Sequence, residues 1–500
     1  RAAEARIVVT NHAFVLTDAI VRTSTNDEVS LLDDYDFLIV DEAHDLLDAA
    51  ASALKFNLDQ DLVDWLIAHA AALSNQLSDA LTSEKPPLGF LNSVQKCGEG
   101  FAARCREAMG AVQLPPLPRE GVAVRVAPEE LARQPALASA YRADLHPLVA
   151  HVADTLRAEI SALYRELEQI YRDHKGALND GQRAAVEETL MQFRHGFMLT
   201  YQDLGRLKEP TEGVSWVEPA EKGWQACYEP LMLADWLRAQ LWQRQPALLM
   251  SATLTVDGRF DFFKQQLGLE TPHLLRLPPV FDYGRQCALY LPPLGTIPDP
   301  PQNAHAPGAG AYYQRLADEI GALLRLTHGR ALVLFASRHE MHEVYRRLPT
   351  LPDVRVMLQG EGSNADLSKQ FREDVHSVLF GVRSFWTGFD APGETLMNLI
   401  LTRIPFEVPT TPLQRARQAW FELQGVSAFA AWALPMAKQQ MRQGFGRLIR
   451  RSNDTGIVAI LDPRMRTKSY GREILNNLPQ GIPIFDSIDA LAHWLRQQVN

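Results

Sequence analysis

Two adjacent acids and a histidine end an apolar run in the segment FLIVDEAHDL, residues 37–46. In open sheets of parallel strands, chemistry gathers just beyond the carboxyl ends of the strands. At such a position Asp41 can help hold Mg²⁺ through its carboxylate oxygens, while Glu42 orients and deprotonates a water, as phosphoryl transfer requires. Taken alone, an acid pair at a strand end is more typical of a solvated turn, so other segments must decide between the two interpretations.

Hydroxyl, glycine and carboxylate groups with matching chemistry follow later in the chain. The segment MSATL, residues 250–254, offers hydroxyls that can bridge the acids to a neighbouring domain, although the triplet SAT is by itself an ordinary turn or cap. In SFWTGFDAPGE, residues 384–394, Gly388 and Gly393 permit close approach of the backbone. In the same segment Asp390 offers a carboxylate to a ribose or to a main-chain donor.

A pair of arginines supplies the opposite charge. Arg447 and Arg450, in QGFGRLIRRSNDTG at residues 443–456, are three apart, so on a helix they share a face and can reach one polyphosphate. A surface arginine pair is the plainer interpretation. Between residues 436 and 474, nine basic residues outnumber three acids, and such a stretch suits contacts with the phosphates of nucleic acid, of a nucleotide, or of both.

The chain divides into regions that differ in their pattern of apolar and polar residues, and these patterns predict the helices and strands that position the groups. Continuous apolar runs at residues 7–10 and 37–40 are typical of parallel strands that are covered on both faces. Residues 46–212 have helical character, and their clearest helix spans about 146–171 with apolar residues at three- and four-residue spacing. From about residue 272, strands and helices alternate, which predicts a mostly parallel sheet. The strand-like runs of this last region lie at residues 331–337, 377–382, 397–402 and 456–462.

Composition narrows the class of protein. A chain of 500 residues is expected to form two to four domains of about 100–200 residues each. With 46% hydrophobic and 22% charged residues it is an ordinary globular chain, and it shows neither a membrane-spanning run nor a signal peptide. The four cysteines lack CxxC spacing, which favours free thiols in a reducing cytoplasm over disulfides or a metal site. The net charge of −10 argues against nucleic-acid binding over the whole surface but leaves room for a local basic track.

The ordered segments together resemble a known family. VDEAH, MSATL, SFWTGFD and QGFGRLIRR resemble motifs II, III, V and VI of the superfamily 2 helicases. Three more segments are similar to the DinG branch of the XPD-like helicases: VVTNHAFVL at 8–16, RIPFEVPTTPL at 403–413 and LDPRMRTKSYG at 461–471. The resemblance spans essentially the whole chain, with the helical region standing where that family carries its Arch insertion.

The resemblance implies roles for the residues at matching positions. Asp41 is implied to be the acid on the Mg²⁺ side, and Glu42 the base for the attacking water. The residues implied to couple nucleotide state to domain movement are His44, Ser251 and Thr253. The residues implied to link or contact the nucleotide are Gly388, Asp390, Gln443, Arg447 and Arg450, with Arg450 as the arginine finger. The residues implied to contact nucleic acid are Ser337, Arg338, Phe385, Trp386 and Arg464, although aromatic residues next to a glycine at a strand end are more often core.

The sequence departs from the family pattern in two places, a missing phosphate loop and a threonine where glutamate is usual. No GxxxxGK[ST] loop occurs in the sequence, and the chain begins at Arg1 inside a strand-like pattern, so we expect a truncated sequence whose phosphate loop, and any iron–sulfur cluster, lie upstream. These residues alone are therefore expected not to hydrolyse ATP, and members with a cluster are not distinguished from cluster-free ones such as CRISPR-associated DinG proteins. Thr387 stands where the family usually has glutamate, which leaves the fine coupling of that motif open.

The resemblance therefore predicts an α/β fold with two RecA-like parallel-sheet motor domains and an α-helical Arch-type insertion in the first. The predicted divisions are residues 1–45 and 213–271 for the first motor domain, 46–212 for the insertion and 272–500 for the second motor domain. The predicted activity is that of an ATP-dependent DNA helicase moving 5′ to 3′ with ATP and Mg²⁺. Its predicted partners are single-stranded or forked DNA and a CRISPR or DNA-repair assembly, with the protein a cytoplasmic monomer. The alternatives are an RNA or RNA–DNA hybrid helicase and a non-catalytic nucleic-acid-binding scaffold.

Overall fold

A computed structural model of the protein describes residues 5–25, 27–81, 88–301, 306–382, 385, 395–407, 409–449, 451 and 453–499, apart from the side chains of residues 88, 447 and 499. Contacts divide the chain into two compact units. The first comprises Arg1–Ser251, Lys264–Glu270 and Val408–Ala428; the second comprises Ala252–Phe263, Thr271–Glu407 and Phe429–Asn500.

The α-helices among the described residues are, in chain order, α1 His12–Ser24, α2 Leu46–Leu54, α3 Gln60–Ala80, α4 Leu88–Gly110, α5 Pro135–Ala138, α6 His146–His174, α7 Asp180–Lys208, α8 Ala234–Leu237, α9 Asp261–Leu267, α10 Tyr283–Gln286, α11 Ala309–Thr327, α12 Arg338–Tyr345, α13 Asn364–Glu373, α14 Pro412–Leu423, α15 Leu434–Leu448, α16 Arg464–Thr467, α17 Ser469–Asn477 and α18 Ile488–Val499. The strands are β1 Leu38–Val40, β2 Phe56–Leu58, β3 Val122–Val126, β4 Gly213–Ala220, β5 Gly223–Pro230, β6 Ala247–Leu249, β7 Cys287–Tyr290, β8 Ala331–Leu334, β9 Arg355–Leu358, β10 Ser377–Gly381, β11 Asn398–Leu401, β12 Gly456–Ile460 and β13 Ile484–Phe485.

The first unit contains a short parallel sheet that carries the acid segment. Strands β1 and β6 pair in parallel, with Leu38 opposite Ala247 and Val40 opposite Leu249. Although these are apolar runs, Ile39 and Leu248 are 60% and 46% exposed. Parallel sheets normally have both faces covered. The expectation that the run at 37–40 is covered on both faces is wrong for the described residues, where it forms a two-stranded, partly exposed sheet.

The rest of the first unit combines long helices with an antiparallel sheet. The strand order is β2-β5-β4-β3, and β4 pairs with β5 along its whole length. Helix α6 buries its apolar seam, including Val152, Leu156 and Leu163, in a core shared with α3, α4 and α7. The helix predicted over 146–171 is thus present.

Three differences from the sequence expectation stand out in this unit. Residues 7–10, predicted to form a covered parallel strand, are exposed and not in a strand. Strands β2 and β3 lie inside the range predicted to be helical, residues 46–212, and they pair with β5 and β4 beyond its end. The expectation of helices without strands there is corrected: strands of three and five residues are too short to show a period, and β3 is buried at four of its five positions. Helix α14, from the range assigned to the second motor domain, packs Ala416 and Ala419 into the core formed around β3 and β4.

The second unit is built on a seven-stranded sheet of order β13-β7-β12-β11-β8-β10-β9. Every pairing in it is parallel, as the alternation of strands and helices predicted. Helices cover both faces: α11, α12 and α18 contribute to one core, and α13, α15 and α17 contribute to the other. Among the described residues, none of the helices combines the length and the apolar character needed to cross a membrane.

Candidate functional site

The acids predicted to act on the nucleotide follow β1 at its carboxyl end. The chain turns there through Glu42, whose φ of +47° lies in the left-handed region, into a short 3₁₀ helix at Ala43–Asp45. The turn is fixed to the neighbouring strand, because the amide of Ala43 donates to the carbonyl of Met250 at 2.9 Å and the amide of Met250 donates to Val40 at 2.8 Å. A non-glycine residue in that conformation carries strain that surrounding bonds must hold.

Glu42, His44 and Ser251 form a hydrogen-bonded cluster across the two strand ends. The Ser251 hydroxyl donates to Glu42 Oε2 at 3.2 Å, and His44 Nδ1 lies 2.6 Å from the same hydroxyl oxygen. His44 Nδ1 is also 3.2 Å from Glu42 Oε2, and its Nε2 is 3.1 Å from Asp45 Oδ1. The His44 side chain is 11% exposed and that of Glu42 is 59% exposed, so the histidine is held while the carboxylate stays accessible to solvent. The geometry brings Glu42 and His44 together with Ser251, which lies more than 200 positions later in the sequence.

Asp41 directly precedes Glu42 in the same turn. Its Oδ1 accepts from the amide of Glu42 at 2.9 Å, and its side chain is exposed. Its carbonyl lies 2.8 Å from Nε2 of His12, the first residue of α1. Helix α1 is in turn capped by Asn11, whose side chain accepts from the amide of Phe14 at 2.9 Å. His12 thus ties α1 to the backbone of the acid turn.

The residues after Ser251 belong to the second unit, where they rest on α15. Thr253 is buried. Arg442 donates to the hydroxyl oxygen of Thr255 at 2.9 Å, and burial lowers the pKa of this guanidinium, with the like charge of Arg276 adding to the effect. Lys438, 3% exposed, lies with its ammonium 2.7 Å from Asp257 Oδ2 and 3.1 Å from a carboxylate oxygen of Glu473.

Helix α15, which ends at Leu448, carries two of the predicted phosphate-contacting residues, Gln443 and Arg447. Gln443 is half-buried on this helix, and the backbone of Arg447 lies in its last turn. The Arg447 side chain and all of Arg450 lie outside the described residues, as do Trp386, Thr387, Gly388 and Asp390. Their predicted roles stay predictions.

Two of the predicted nucleic-acid contacts are placed at an accessible edge. Ser337 and Arg338 follow β8 at the carboxyl end of the seven-stranded sheet, and both are exposed. Ser337 caps α12, because its hydroxyl accepts from the amide of Glu340 at 3.1 Å. Phe385 is different, since it is 2% exposed and its ring packs against Gly381 in the core. The expectation that Phe385 stacks on a base is therefore corrected.

The expectation that Arg464 contacts nucleic acid is also corrected. Its Nη2 lies 2.6 Å from Oδ2 of Asp462, and its Nε lies 2.9 Å from Oδ1 of the same carboxylate, whose side chain is fully buried. The guanidinium also lies over the ring of Phe406 at 5.9 Å. An arginine bound in this two-pronged way has little left to offer a DNA phosphate. The same holds for Lys438 and for Arg466, which donates to the carbonyls of Leu291 and Pro292, so much of the locally basic stretch serves the fold.

Comparisons with known proteins agree with this arrangement. A family model described as a helicase C-terminal domain matches residues 320–481. The chain is 29% identical over 485 residues to the ATP-dependent DNA helicase YoaA of Escherichia coli (strain K12), covering 96% of this chain and 68% of YoaA. It is 35% identical over 253 residues to the ATP-dependent helicase DinG of Mycobacterium tuberculosis, covering 50% of this chain and 37% of that protein. The chain is thus similar to the DinG/XPD-like helicases.

A solved structure of an XPD helicase shares the fold of this chain. The TM-score is 0.50 at 14% identity, over 91% of this chain and 69% of the XPD chain. The relatives are longer than the sequence they match: the chain spans about two thirds of YoaA and 37% of the mycobacterial DinG.

The cofactors implied for a DinG/XPD-like helicase differ in how they fit these residues. Mg²⁺ bound with a nucleotide commonly takes one or two protein carboxylates, and the exposed Asp41 offers one. An iron–sulfur cluster requires four thiolates together. Cys97, Cys105, Cys227 and Cys287 are instead separately buried, and burial raises the pKa of Cys97 and of Cys105 to about 12. The cysteines of this chain therefore do not fit a cluster, and within the described ranges no group of three or more metal-binding side chains is assembled.

Sequence reasoning missed the carboxylates that bind the basic residues. Asp257 and Glu473 around Lys438, and Asp462 beside Arg464, were not singled out as partners. For Asp462 a signal was present, because an acid two residues before an arginine at a strand end can close a ring with it. For Asp257 the sequence held no such signal, since 181 residues separate it from Lys438.

Proposed function

We propose that the protein is an ATP-dependent DNA helicase of DinG type that unwinds duplex DNA by hydrolysing ATP between two RecA-like domains and moves 5′ to 3′. The hydrogen-bonded cluster of Glu42, His44 and Ser251 carries the proposal. It supports hydrolysis because a carboxylate that is accessible to solvent, yet oriented by a serine and a histidine, is suited to position and deprotonate an attacking water.

The chemistry divides between the two acids of the turn. Glu42 holds its carboxylate outward, with Oε2 receiving the Ser251 hydroxyl. It takes a proton from the water as the water oxygen bonds to the γ-phosphorus and the bond from that phosphorus to the bridging oxygen breaks, which releases ADP. Asp41 leaves one carboxylate oxygen available, since Oδ1 is engaged by the amide of Glu42. Magnesium bound with ATP supplies positive charge to the phosphates, and the Asp41 carboxylate would help hold it.

Binding to DNA is assigned to the carboxyl edge of the seven-stranded sheet. Ser337 and Arg338 are exposed at the first turn of α12, where helix amides also point outward, and both groups suit contacts with phosphate. Such contacts position a strand without reading its sequence, as a translocating enzyme requires. Gln443, Arg447 and Arg450 are proposed to contact the nucleotide, and Gly388 and Asp390 to link nucleotide and DNA.

Further parts of the proposal rest on the family resemblance. The protein is proposed to act as a monomer in the cytoplasm, and the four unpaired thiols support a reducing compartment. Assembly with CRISPR or DNA-repair proteins, an upstream iron–sulfur cluster and the division into motor domains and Arch-type insertion stay predictions. Hydrolysis also needs a lysine-bearing phosphate loop, which residues 1–500 do not contain, so it is to be measured in the full-length protein.

The test compares substrates in one assay. Full-length protein with Mg²⁺ and ATP is mixed with matched forked duplexes of DNA, RNA and RNA–DNA hybrid, and ATP hydrolysis and strand separation are followed together. A DNA helicase separates the DNA fork fastest and hydrolyses ATP faster when single-stranded DNA is added. Preference for RNA or for the hybrid would establish the RNA-directed alternative, and DNA binding without hydrolysis would establish the scaffold.

A further inference from the structure

A buried carboxylate ties α12 to the neighbouring strand. Glu340, in the first turn of α12, is 1% exposed. Its Oε1 accepts from the hydroxyl of Thr402 at 2.6 Å, and Thr402 follows β11 directly. Its Oε2 lies 2.5 Å from Nη2 of Arg403 and is inaccessible to solvent; the pair is ionic and lacks hydrogen-bond geometry.

Arg403 is held by a second group besides Glu340. Its Nε donates to the hydroxyl of Tyr312 at 3.2 Å, and its guanidinium lies 5.1 Å from the centre of that ring. Tyr312 comes from α11 and is 1% exposed. Burial works against the charge of Arg403, but the neighbouring Glu340 carboxylate and Tyr312 raise the pKa of this guanidinium overall. Three elements, α11, α12 and the segment after β11, therefore meet at one ion pair.

Stability by itself does not account for such a pair. Removing two charges from water costs free energy that their mutual attraction often only offsets, so apolar residues of the same size can be equally stable. What the pair supplies is a defined geometry, because a carboxylate with fixed partners allows a single placement of the helix that bears it. The hydrophobic contacts of α12, through Met341 and Val344, leave more freedom to rotate or slide.

The placement matters because α12 presents the proposed phosphate contacts. One residue serves both functions: the amide of Glu340 binds the capping hydroxyl of Ser337, while its carboxylate binds Thr402 and Arg403. Arg338 lies two residues before it, and its side chain is exposed. The amides of Arg338 and His339 precede the first intrahelical bonds and point along the helix axis toward solvent.

We propose that Glu340 and Arg403 are positioning residues for the nucleic-acid backbone, which act through α12 by holding its first turn so that Ser337, Arg338 and the helix amides meet one phosphate track. The inference rests on the proposed function and adds to it the residues that set the track. Neither side chain needs to touch the nucleic acid. Their loss changes how many phosphates are contacted.

The experiment measures binding of the full-length protein to a fluorescent single-stranded oligonucleotide as a function of salt, without nucleotide. Each lost phosphate contact lowers the slope of log affinity against log salt by about 0.7 for single strands. Glu340→Gln and Arg403→Met are expected to weaken binding and to reduce the slope by about 0.7, the value for one lost phosphate contact. Arg403→Lys keeps the charge and is expected to retain most of the affinity and most of the slope. The matched control is Glu343→Gln, since Glu343 is on the same helix but its carboxylate, within the part of the chain that the structure describes, pairs with Arg346 and Arg347 of the segment that follows.

Two further variants separate the possible failures. If Arg338→Ala lowers the affinity and the salt slope but Glu340→Gln does not, Glu340 is not a positioning residue, although the phosphate contacts of α12 remain supported. If Arg338→Ala changes neither the affinity nor the salt slope, the start of α12 does not contact the nucleic-acid backbone and the proposed binding edge is wrong. If Glu340→Gln does not fold, the double replacement Glu340→Met with Arg403→Met removes both charges together: a folded double variant with a reduced slope supports the inference, and one that binds like the parent overturns it.

Discussion

The acid turn of the first unit and the carboxyl edge of the second unit use charged residues in opposite ways. At the turn, Glu42 is 59% exposed and receives one hydroxyl, so its carboxylate keeps free acceptor positions. At the edge, Asp462 is fully buried and accepts from the amides of Ile404 and Arg464 as well as from the Arg464 guanidinium. Both sites lie beyond the ends of parallel strands.

The comparison teaches that position at a strand end does not by itself indicate chemistry. A carboxylate whose acceptor positions are filled by the protein cannot also bind a metal or a water, and its removal is felt as a loss of stability. A carboxylate with unfilled positions contributes little to stability and is free to react. Substitutions at the two sites should therefore separate folding from activity.

The largest expected effect on stability is at Asp462. Asp462→Asn leaves the Arg464 guanidinium half-buried without its counter-charge and should lower the free energy of unfolding by about 3–5 kcal/mol. Glu42→Gln is the comparison, with a change expected within about 0.5 kcal/mol. Chemical denaturation of both variants checks this, and similar losses of stability in the two would remove the distinction.

Asp203 on α7 is an intermediate case, a partly buried carboxylate, 25% exposed, that accepts from Arg206 alone among the described residues. Burial raises its pKa to about 6, with Arg206 opposing. The folded state thus holds the proton more tightly than the unfolded chain, so this group lowers the free energy of unfolding as pH rises from about 4 to 6. Asp203→Asn should remove about 2 kcal/mol of that decline.

The control for this pH dependence is Asp180→Asn at the start of the same helix, where the carboxylate is almost fully exposed. Denaturation midpoints at pH 4.5 and pH 7 are compared for both variants and the parent. If the free energy of unfolding of the Asp203 variant falls with pH as steeply as that of the parent, Asp203 does not cause the fall. Its carboxylate is then satisfied by hydrogen bonds in the folded state, as that of Asp462 is.

Ser251→Ala should have a smaller effect, confined to activity. It removes the hydroxyl from Glu42 and His44 and should lower the turnover of ATP two- to tenfold, the equivalent of about 0.5–1.5 kcal/mol for one hydrogen bond. The apparent affinity for ATP should stay constant, because the hydroxyl acts on the base. Steady-state kinetics of the full-length protein measure both, and a change confined to affinity would place Ser251 in nucleotide binding.

The smallest effect is expected at Glu343. Its carboxylate pairs with Arg346 and Arg347, three and four residues further along the chain and just past the end of α12, so Glu343→Gln should change the free energy of unfolding by no more than about 0.5 kcal/mol. Thermal unfolding checks this. If Glu343→Gln lowers the free energy of unfolding as much as Asp462→Asn does, burial does not decide how much an ion pair contributes to stability.

The parallel sheet of the second unit was predictable from the sequence. Its strands β8, β10, β11 and β12 begin at the first or second residue of the predicted runs, because a strand covered on both faces must be apolar at successive positions. The acid turn was likewise predictable, since Glu42, His44 and Ser251 lie in two ordered motifs. Their mutual contact requires only that β1 and β6 be neighbours.

Partners of buried charges were not predictable. The count of basic residues between 436 and 474 suggested a surface track, yet Lys438 and Arg464 are bound to carboxylates of the same unit. Charge counts describe composition, whereas burial depends on pairing across long stretches of chain. Phe385 failed as a base-stacking residue for a similar reason, because nothing local indicates which way a ring next to Gly381 will turn.

The most direct test of the account is the turnover of ATP by the full-length Glu42→Gln variant in the presence of single-stranded DNA. Loss of a general base should reduce turnover by about 10²–10⁴, while ATP binding and the denaturation midpoint stay those of the parent. Turnover within twofold of the parent would contradict the assignment of Glu42 as the base and, with it, the reading of the acid turn as a hydrolytic site.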